Sequence, residues 1–251
     1  MSAVPAPEVT ETRLLDGRVV TYQPATGYRT AIDAVLLAAC VPVRTGEHAL
    51  ELGTGVGAAA FCLAARVPDV SVTALELQPA LAALADRGVE ANGLAGRVRV
   101  VTGDLLAPPD EIAGPYDHVF FNPPYAAAGT SNVPPDPVKA AATVEGAAKL
   151  KDWIGFAAER LGIGGSVTVV HRADRMGEVT AAMKAAGIGA REVLELLPKA
   201  GRAAKRAIAR GRKGTAETAG VASHPPLVLH AGDGAYTEAA EKILRGGESL
   251  L

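Results

Sequence analysis

The chain has 251 residues, 49% of them hydrophobic but only 4% aromatic, and a formal net charge of −2, a globular composition that builds its core from Ala, Val, Leu and Ile. Its two cysteines, Cys40 and Cys62, each sit inside an apolar run and read as reduced core thiols, and the absence of CxxC or HxxxH spacing leaves no metal expected. No stretch of about twenty apolar residues and no basic-then-apolar leader occurs, so no membrane partner is expected and the cytoplasm is the location by default.

Residues 1–12 read as a flexible leader. TAIDAVLLAAC, from Thr30, has helical apolar spacing and predicts a helix over 30–41, ended near Pro42. EHALELGTG, from Glu47, follows as a short strand running into glycines, then a helix over Val56–Arg66. VSVTALEL, Val70–Leu77, is a second strand. Pro79–Gly93 is a helix with proline in its first turn and glycine past its end. RVRVVTGD ends a third strand at Asp104, and YDHVFF, Tyr116–Phe121, is a fourth. Residues 126–137 form a proline-rich loop, read as a lid or a linker. A helix carrying Trp153 is predicted over Val144–Leu161, a fifth strand over Gly165–Arg172, and a helix over Asp174–Ala186 capped by Asp174. Strands at Arg191–Pro198, Lys205–Arg210 and Leu227–His230, and a helix at Thr237–Leu244, complete the chain. Strands alternating with helices imply an α/β fold with a mostly parallel sheet and helices on both faces.

In such sheets ligands sit beyond the carboxyl ends of the strands, which directs attention to Gly53–Gly57, Glu76, Asp104 and Asn122. Gly53, Gly55 and Gly57 allow close backbone approach ahead of a helix N-terminus; they also approach a dinucleotide fingerprint, with Ala58 in the last glycine's place. Glu51 lies within reach of a cationic amine, or is only a strand-end carboxylate. Glu76 can accept both hydroxyl hydrogens of a ribose, a device shared by NAD and nucleoside proteins. Asp104 can accept from an exocyclic amine such as adenine's, or cap the next segment. NPPY, Asn122–Tyr125, follows the fourth strand. A planar amino nitrogen attacks poorly because its lone pair is delocalised. An asparagine oxygen and a neighbouring carbonyl, each accepting one N–H, fix that nitrogen and favour lone-pair density out of the plane. Pro123 and Pro124 hold the turn rigid, and Tyr125 can stack on a planar substrate.

With these residues in order, the sequence resembles a class I S-adenosylmethionine-dependent methyltransferase: ELGTGVG, ALEL and TGD resemble its cofactor motifs, and NPPY its catalytic motif for planar nitrogens. The resemblance implies a Rossmann-like, seven-stranded sheet in a single methyltransferase domain over 13–251, with S-adenosylmethionine as cofactor. Glu51 and the glycines would face its methionine portion, Glu76 its ribose and Asp104 its adenine. Asn122, Pro123 and Tyr125 would form the catalytic turn. QPATGYRTAIDAVLLA, DWIGFAAERL, AKRAIARGRKG and PPLVLH further resemble the tRNA adenine N6-methyltransferases that act beside the anticodon of a valine tRNA, over about Leu14–Leu244. That implies methyl transfer to the exocyclic N6 of an adenine in RNA, in a tRNA anticodon loop.

Residues 199–214 carry seven basic side chains and no acid, in a chain with 25 Lys and Arg against 27 Asp and Glu. On the family resemblance, Lys205, Arg206, Arg210, Arg212 and Lys213 are expected to contact RNA phosphates; without it, the strip is equally a solvated hairpin. His171 and His230 read as structural or surface residues, since loss of a proton from the amine needs no strong base. Tyr28, Arg29 and Asp33 lie near the methionine carboxylate or the target, or are helix-start polarity. A monomer is the favoured state. Three alternatives remain open: methylation of a guanine N2 in ribosomal RNA, methylation of a protein glutamine amide, and nucleotide binding without transfer.

Overall fold

The computed structural model describes residues 8–27, 29–125, 146–215 and 220–251. The expected loop at 126–137, Tyr28 and the first seven residues lie outside them. A two-stranded antiparallel hairpin, β1 (Val9–Leu14) and β2 (Val19–Pro24), opens the chain. This shortens the expected leader, because Val9–Thr12 are paired strand. The turn carries Leu15, Asp16 and Gly17 at positive φ, the conformation an Asp-Gly pair favours. Asn92 anchors the hairpin: its amide accepts from Val20 N–H at 2.8 Å and donates to Val20 O at 2.7 Å.

The main sheet alternates with helices: α1 (Ile32–Cys40), β3 (His48–Leu52), α2 (Ala58–Arg66), β4 (Ser71–Glu76), α3 (Pro79–Ala91), β5 (Val98–Thr102) and β6 (Tyr116–Phe121). After the undescribed segment come α4 (Leu150–Arg160), β7 (Leu161–Arg172), α5 (Met176–Ala185), β8 (Ile188–Lys199), β9 (Arg206–Lys213), β10 (Ala222–Ser223), β11 (Leu227–His230) and α6 (Glu238–Leu244). The order β5-β4-β3-β6-β7-β9-β8 gives the seven principal strands, parallel except for β9, which runs antiparallel to both neighbours. Two short strands, β10 and β11, pair with β8 and bring the sheet to nine. Order reverses between β3 and β6, the crevice where doubly wound sheets bind ligands.

Strand side chains alternate between two buried layers. Ala49, Phe120 and Val170 pack with α1, α2, α3 and α6; Leu50, Phe121 and Val169 pack with α4 and α5. Burial on both faces explains why these strands read as continuous apolar runs. Both cysteines are buried free thiols, pushed up to about 12 by burial. Two local expectations need correction. The Trp153 helix begins at Leu150, where the Asp152 carboxylate accepts from Lys149 N–H at 2.8 Å and stops the helix extending backward. Asp174 does not cap α5; its carboxylate pairs with Arg172. Among the described residues no helix is long and apolar enough to cross a membrane.

Candidate cofactor and acceptor site

A cavity of about 310 Å³ opens at the carboxyl ends of β3, β4, β5 and β6. It is lined by Glu51, Gly53, Gly55, Glu76, Asp104, Asn122, Pro124 and Tyr125, so the predicted strand-end residues converge on it. Gly57 and Pro123 are buried and do not line it. Gly53 is required twice over: its φ is +64°, and a Cβ there would lie 2.8 Å from Trp153 Cη2. Trp153 therefore forms the cavity wall against the glycine loop, supported by Phe121 with ring centroids 5.6 Å apart.

Glu51 ends β3 beneath the first turn of α2. Its Oε2 accepts from Thr54 Oγ1 at 2.6 Å and from Ala60 N–H at 3.0 Å. Burial pushes its carboxyl up to about 8; these bonds work against the rise and the neighbouring Glu76 adds to it. Glu76 is also raised by burial, against backbone donors. Its Oε2 accepts from Gly55 N–H at 2.7 Å and its Oε1 from Gln78 N–H at 2.9 Å, so both oxygens are oriented by the flanking loops. Two buried carboxylates side by side form a site that favours a cationic ligand. Asp104 is half-buried and accepts from Leu106 N–H at 2.9 Å, which fixes the turn after β5. Beside it, Leu77 and Leu106 are 58% and 48% exposed, apolar walls ready for a flat ring.

Among the described residues Asn122 Oδ1 is buried at the cavity without a hydrogen-bond partner. A buried acceptor left without a donor costs about 1–3 kcal/mol. Tyr125 stands next to it. Arg206 donates to its hydroxyl at 2.5 Å and lies over its ring with Cζ 4.2 Å from the centroid, while His171 meets the ring edge-on at 5.9 Å. His171 is fully buried, as its structural reading requires, and His230 stacks on Tyr236. Arg29 and Asp33 both line the cavity; Asp33 pairs with Arg206 at 3.2 Å.

The basic strip does not form one surface. β9 is an interior strand, and its alternation divides the side chains between two faces. Arg210 pairs with Glu192 at 2.7 Å and is 13% exposed. Lys213, on the other face, donates to Ala158 O at 2.7 Å and Leu161 O at 2.8 Å, closing the end of α4. Arg206 opposes Arg172 at the cavity end of β7, whereas Arg212 opposes Ser166 at the far end, about 20 Å away at 3.4 Å per residue. Of the five, Lys205 and Arg212 are exposed. Sequence reasoning passed over Thr54, Leu77, Leu106 and the wall role of Trp153. Only the tryptophan carried a signal, as the single one in the chain.

Two buried carboxylates and the Asn122 amide meet at the carboxyl ends of parallel strands, and this chain is an S-adenosylmethionine-dependent methyltransferase. It belongs to the methyltransferase small domain family, whose model matches residues 29–186. It is 28% identical over 211 residues to a tRNA1(Val) (adenine(37)-N6)-methyltransferase of Aeromonas hydrophila, covering 84% of this chain and 86% of that one. A release factor glutamine methyltransferase of Chlorobaculum tepidum is 38% identical over 78 residues, 30% of this chain and 26% of that protein. Among solved structures, a predicted O-methyltransferase from Agrobacterium tumefaciens aligns with TM-score 0.71 and 25% identity over 87% of this chain and 97% of its own. S-adenosylmethionine is the cofactor, and the cavity's size and paired carboxylates fit it.

Proposed function

We propose that the enzyme methylates the exocyclic N6 of an adenine in RNA, within a tRNA anticodon loop. The buried Oδ1 of Asn122, without a partner among the described residues and beside Pro124 and Tyr125 on the cavity wall, carries this reading. The cofactor supplies an electrophilic methyl group on a sulfonium. Asn122 Oδ1 accepts one N6–H and a neighbouring backbone carbonyl of the turn accepts the other, turning the nitrogen lone pair toward that methyl. Transfer would form the N–C bond as the S–C bond breaks, leaving that electron pair on sulfur and the amine proton to solvent. Glu51 would hold the methionine ammonium, Glu76 the ribose hydroxyls and Asp104 the adenine amine. The 28%-identical relative that covers most of the chain supports RNA adenine as the acceptor. An anticodon-loop base meets the need for an exposed or flipped target.

The RNA-facing surface is the turn between β8 and β9, where Lys199, Arg202 and Lys205 are exposed at the cavity end. These side chains position phosphates without reading sequence. The test is transfer from radiolabelled S-adenosylmethionine to total tRNA lacking the modification, with nucleoside mass spectrometry and parallel ribosomal RNA and protein fractions. N6-methyladenosine in one tRNA is expected. N2-methylguanosine, or label confined to ribosomal RNA or protein, would move the acceptor. No transfer to any fraction would defeat the proposed acceptor.

A further inference from the structure

Arg206 was expected at the RNA phosphates, but each of its three guanidinium nitrogens already has a partner within the protein. Nε meets Asp33 Oδ2 at 3.2 Å, Nη1 donates to Lys205 O at 3.2 Å and Nη2 donates to the Tyr125 hydroxyl at 2.5 Å. Its Cζ lies over one face of the Tyr125 ring, 4.2 Å from the centroid. Its side chain is 27% exposed and that of Asp33 is 16%, so the cluster is partly shielded from solvent and salt. A planar fork that stacks on an aromatic while donating along its edge is a geometry that arginine provides and lysine does not.

We propose that Arg206 is a positioning residue for the acceptor. It holds Tyr125 by hydroxyl and by one ring face, leaving the other face as the platform on which the planar substrate stacks. Three elements meet in this clamp: β9 through Arg206, α1 through Asp33, and the turn after β6 through Tyr125. Asp33 also lines the cofactor cavity, so the clamp fixes the acceptor platform relative to the cofactor site. Arg175 Nη1 donates to Tyr125 O at 3.4 Å and His171 closes the ring edge, so Tyr125 is approached from several sides and Arg206 supplies the face. A misplacement of about 1 Å at such a platform costs about a hundredfold in rate, so holding the ring is worth a dedicated residue.

This inference rests on the acceptor reading given above for its kinetic arm only. The first arm needs no acceptor. The full chain labelled with 3-fluorotyrosine, bound to S-adenosylhomocysteine, is observed by fluorine NMR, with the Tyr125 line assigned from Tyr125→Phe. Arg206→Gln and Arg206→Lys are both expected to shift that line, because neither side chain can stack and bridge as the guanidinium does. An unmoved line overturns the proposal whether or not RNA is methylated. In the second arm, with the acceptor that the wild type methylates, Arg206→Gln and Tyr125→Phe each lower kcat about tenfold. The double variant falls no further than the worse single, since both remove one coupled contact. KM for cofactor stays within about twofold. An Arg206→Gln enzyme with unchanged kcat, a raised KM for RNA and a salt slope smaller by about 1 would make Arg206 a phosphate contact and overturn the clamp. Single effects that multiply to about a hundredfold would overturn it too. If the wild type methylates no RNA, the acceptor reading fails, and the fluorine line still decides for or against the clamp.

Discussion

Cofactor binding should expel a proton. Glu51 is fully buried and its carboxyl is pushed up to about 8, so at pH 7 it is about nine-tenths protonated before ligand arrives. If it receives the methionine ammonium, it must be ionised in the complex. The ammonium of S-adenosylhomocysteine, a free amino acid with its own carboxylate beside the amine, is already protonated at pH 7 and brings no proton change of its own. The balance is a release of about 0.9 proton per S-adenosylhomocysteine bound at pH 7, set by Glu51 alone. Affinity follows the same linkage and falls about tenfold between pH 7 and pH 6, as the proton on Glu51 becomes harder to displace. Calorimetric titration in two buffers of different ionisation enthalpy measures the release directly, and S-adenosylhomocysteine avoids turnover. In Glu51→Gln the release should disappear. A wild-type release near zero, with affinity flat between pH 6 and 8, would mean that Glu51 is already ionised or faces no cation. Unchanged affinity in Glu51→Gln would then remove it from the methionine end of the cavity.

Asn122→Ala should lower methyl transfer by at least about a hundredfold while S-adenosylhomocysteine affinity stays within about twofold, checked by single-turnover transfer and calorimetry; near wild-type turnover would remove Asn122 from the reaction. Gly53→Ala should weaken cofactor binding at least about tenfold, because a methyl at φ +64° strains the loop and meets Trp153, and equilibrium binding reads this. Glu51→Gln should raise apo stability at pH 8 by up to about 4 kcal/mol in urea unfolding: the folded pKa lies above the unfolded value, so the wild-type group favours the unfolded chain as pH rises from 4.5 to 8. His118 gives the opposite slope: burial, acting against Glu47, holds its folded pKa below 6.5, so stability should fall as pH drops below 6.5, and His118→Asn should flatten that limb.

The sequence announced the site better than its surroundings. Glu51, Glu76, Asp104 and Asn122 were legible because a parallel strand buried on both faces must end in polar residues where chain and cavity meet, and each sits at such an end. The β1–β2 hairpin carried its signal in Asp16-Gly17 between alternating strands, but that pattern was passed over in favour of a loose leader. The start of α4 was misread because alanine-rich sequence upstream has helical propensity of its own, and the Asp152 back-bond that sets the boundary is a matter of one side chain. No periodicity announces Leu77 or Leu106, since a wall of a cavity is defined by the partner strands.

The basic strip shows where linear reading fails and topology takes over. Seven cations in sixteen residues look like a patch only while the segment is a line. Once β9 is placed between β7 and β8, alternation sends Arg206, Arg210 and Arg212 to one face and Lys213 to the other, and antiparallel direction spreads them from the cavity end to the opposite end of the sheet. The guanidinium nearest the acceptor then finds a carboxylate, a carbonyl and a phenol within reach before any phosphate could arrive. The exposed cations left at the cavity end belong to the turn, and a turn is where a chain can meet a long polyanion without disturbing the sheet beneath. Substituting Lys199, Arg202 and Lys205 by Gln should therefore weaken RNA binding and lower its salt slope by about 3, with cofactor affinity unchanged. Filter binding across a salt series measures both quantities; a slope unaltered by the triple change would take the RNA off this turn.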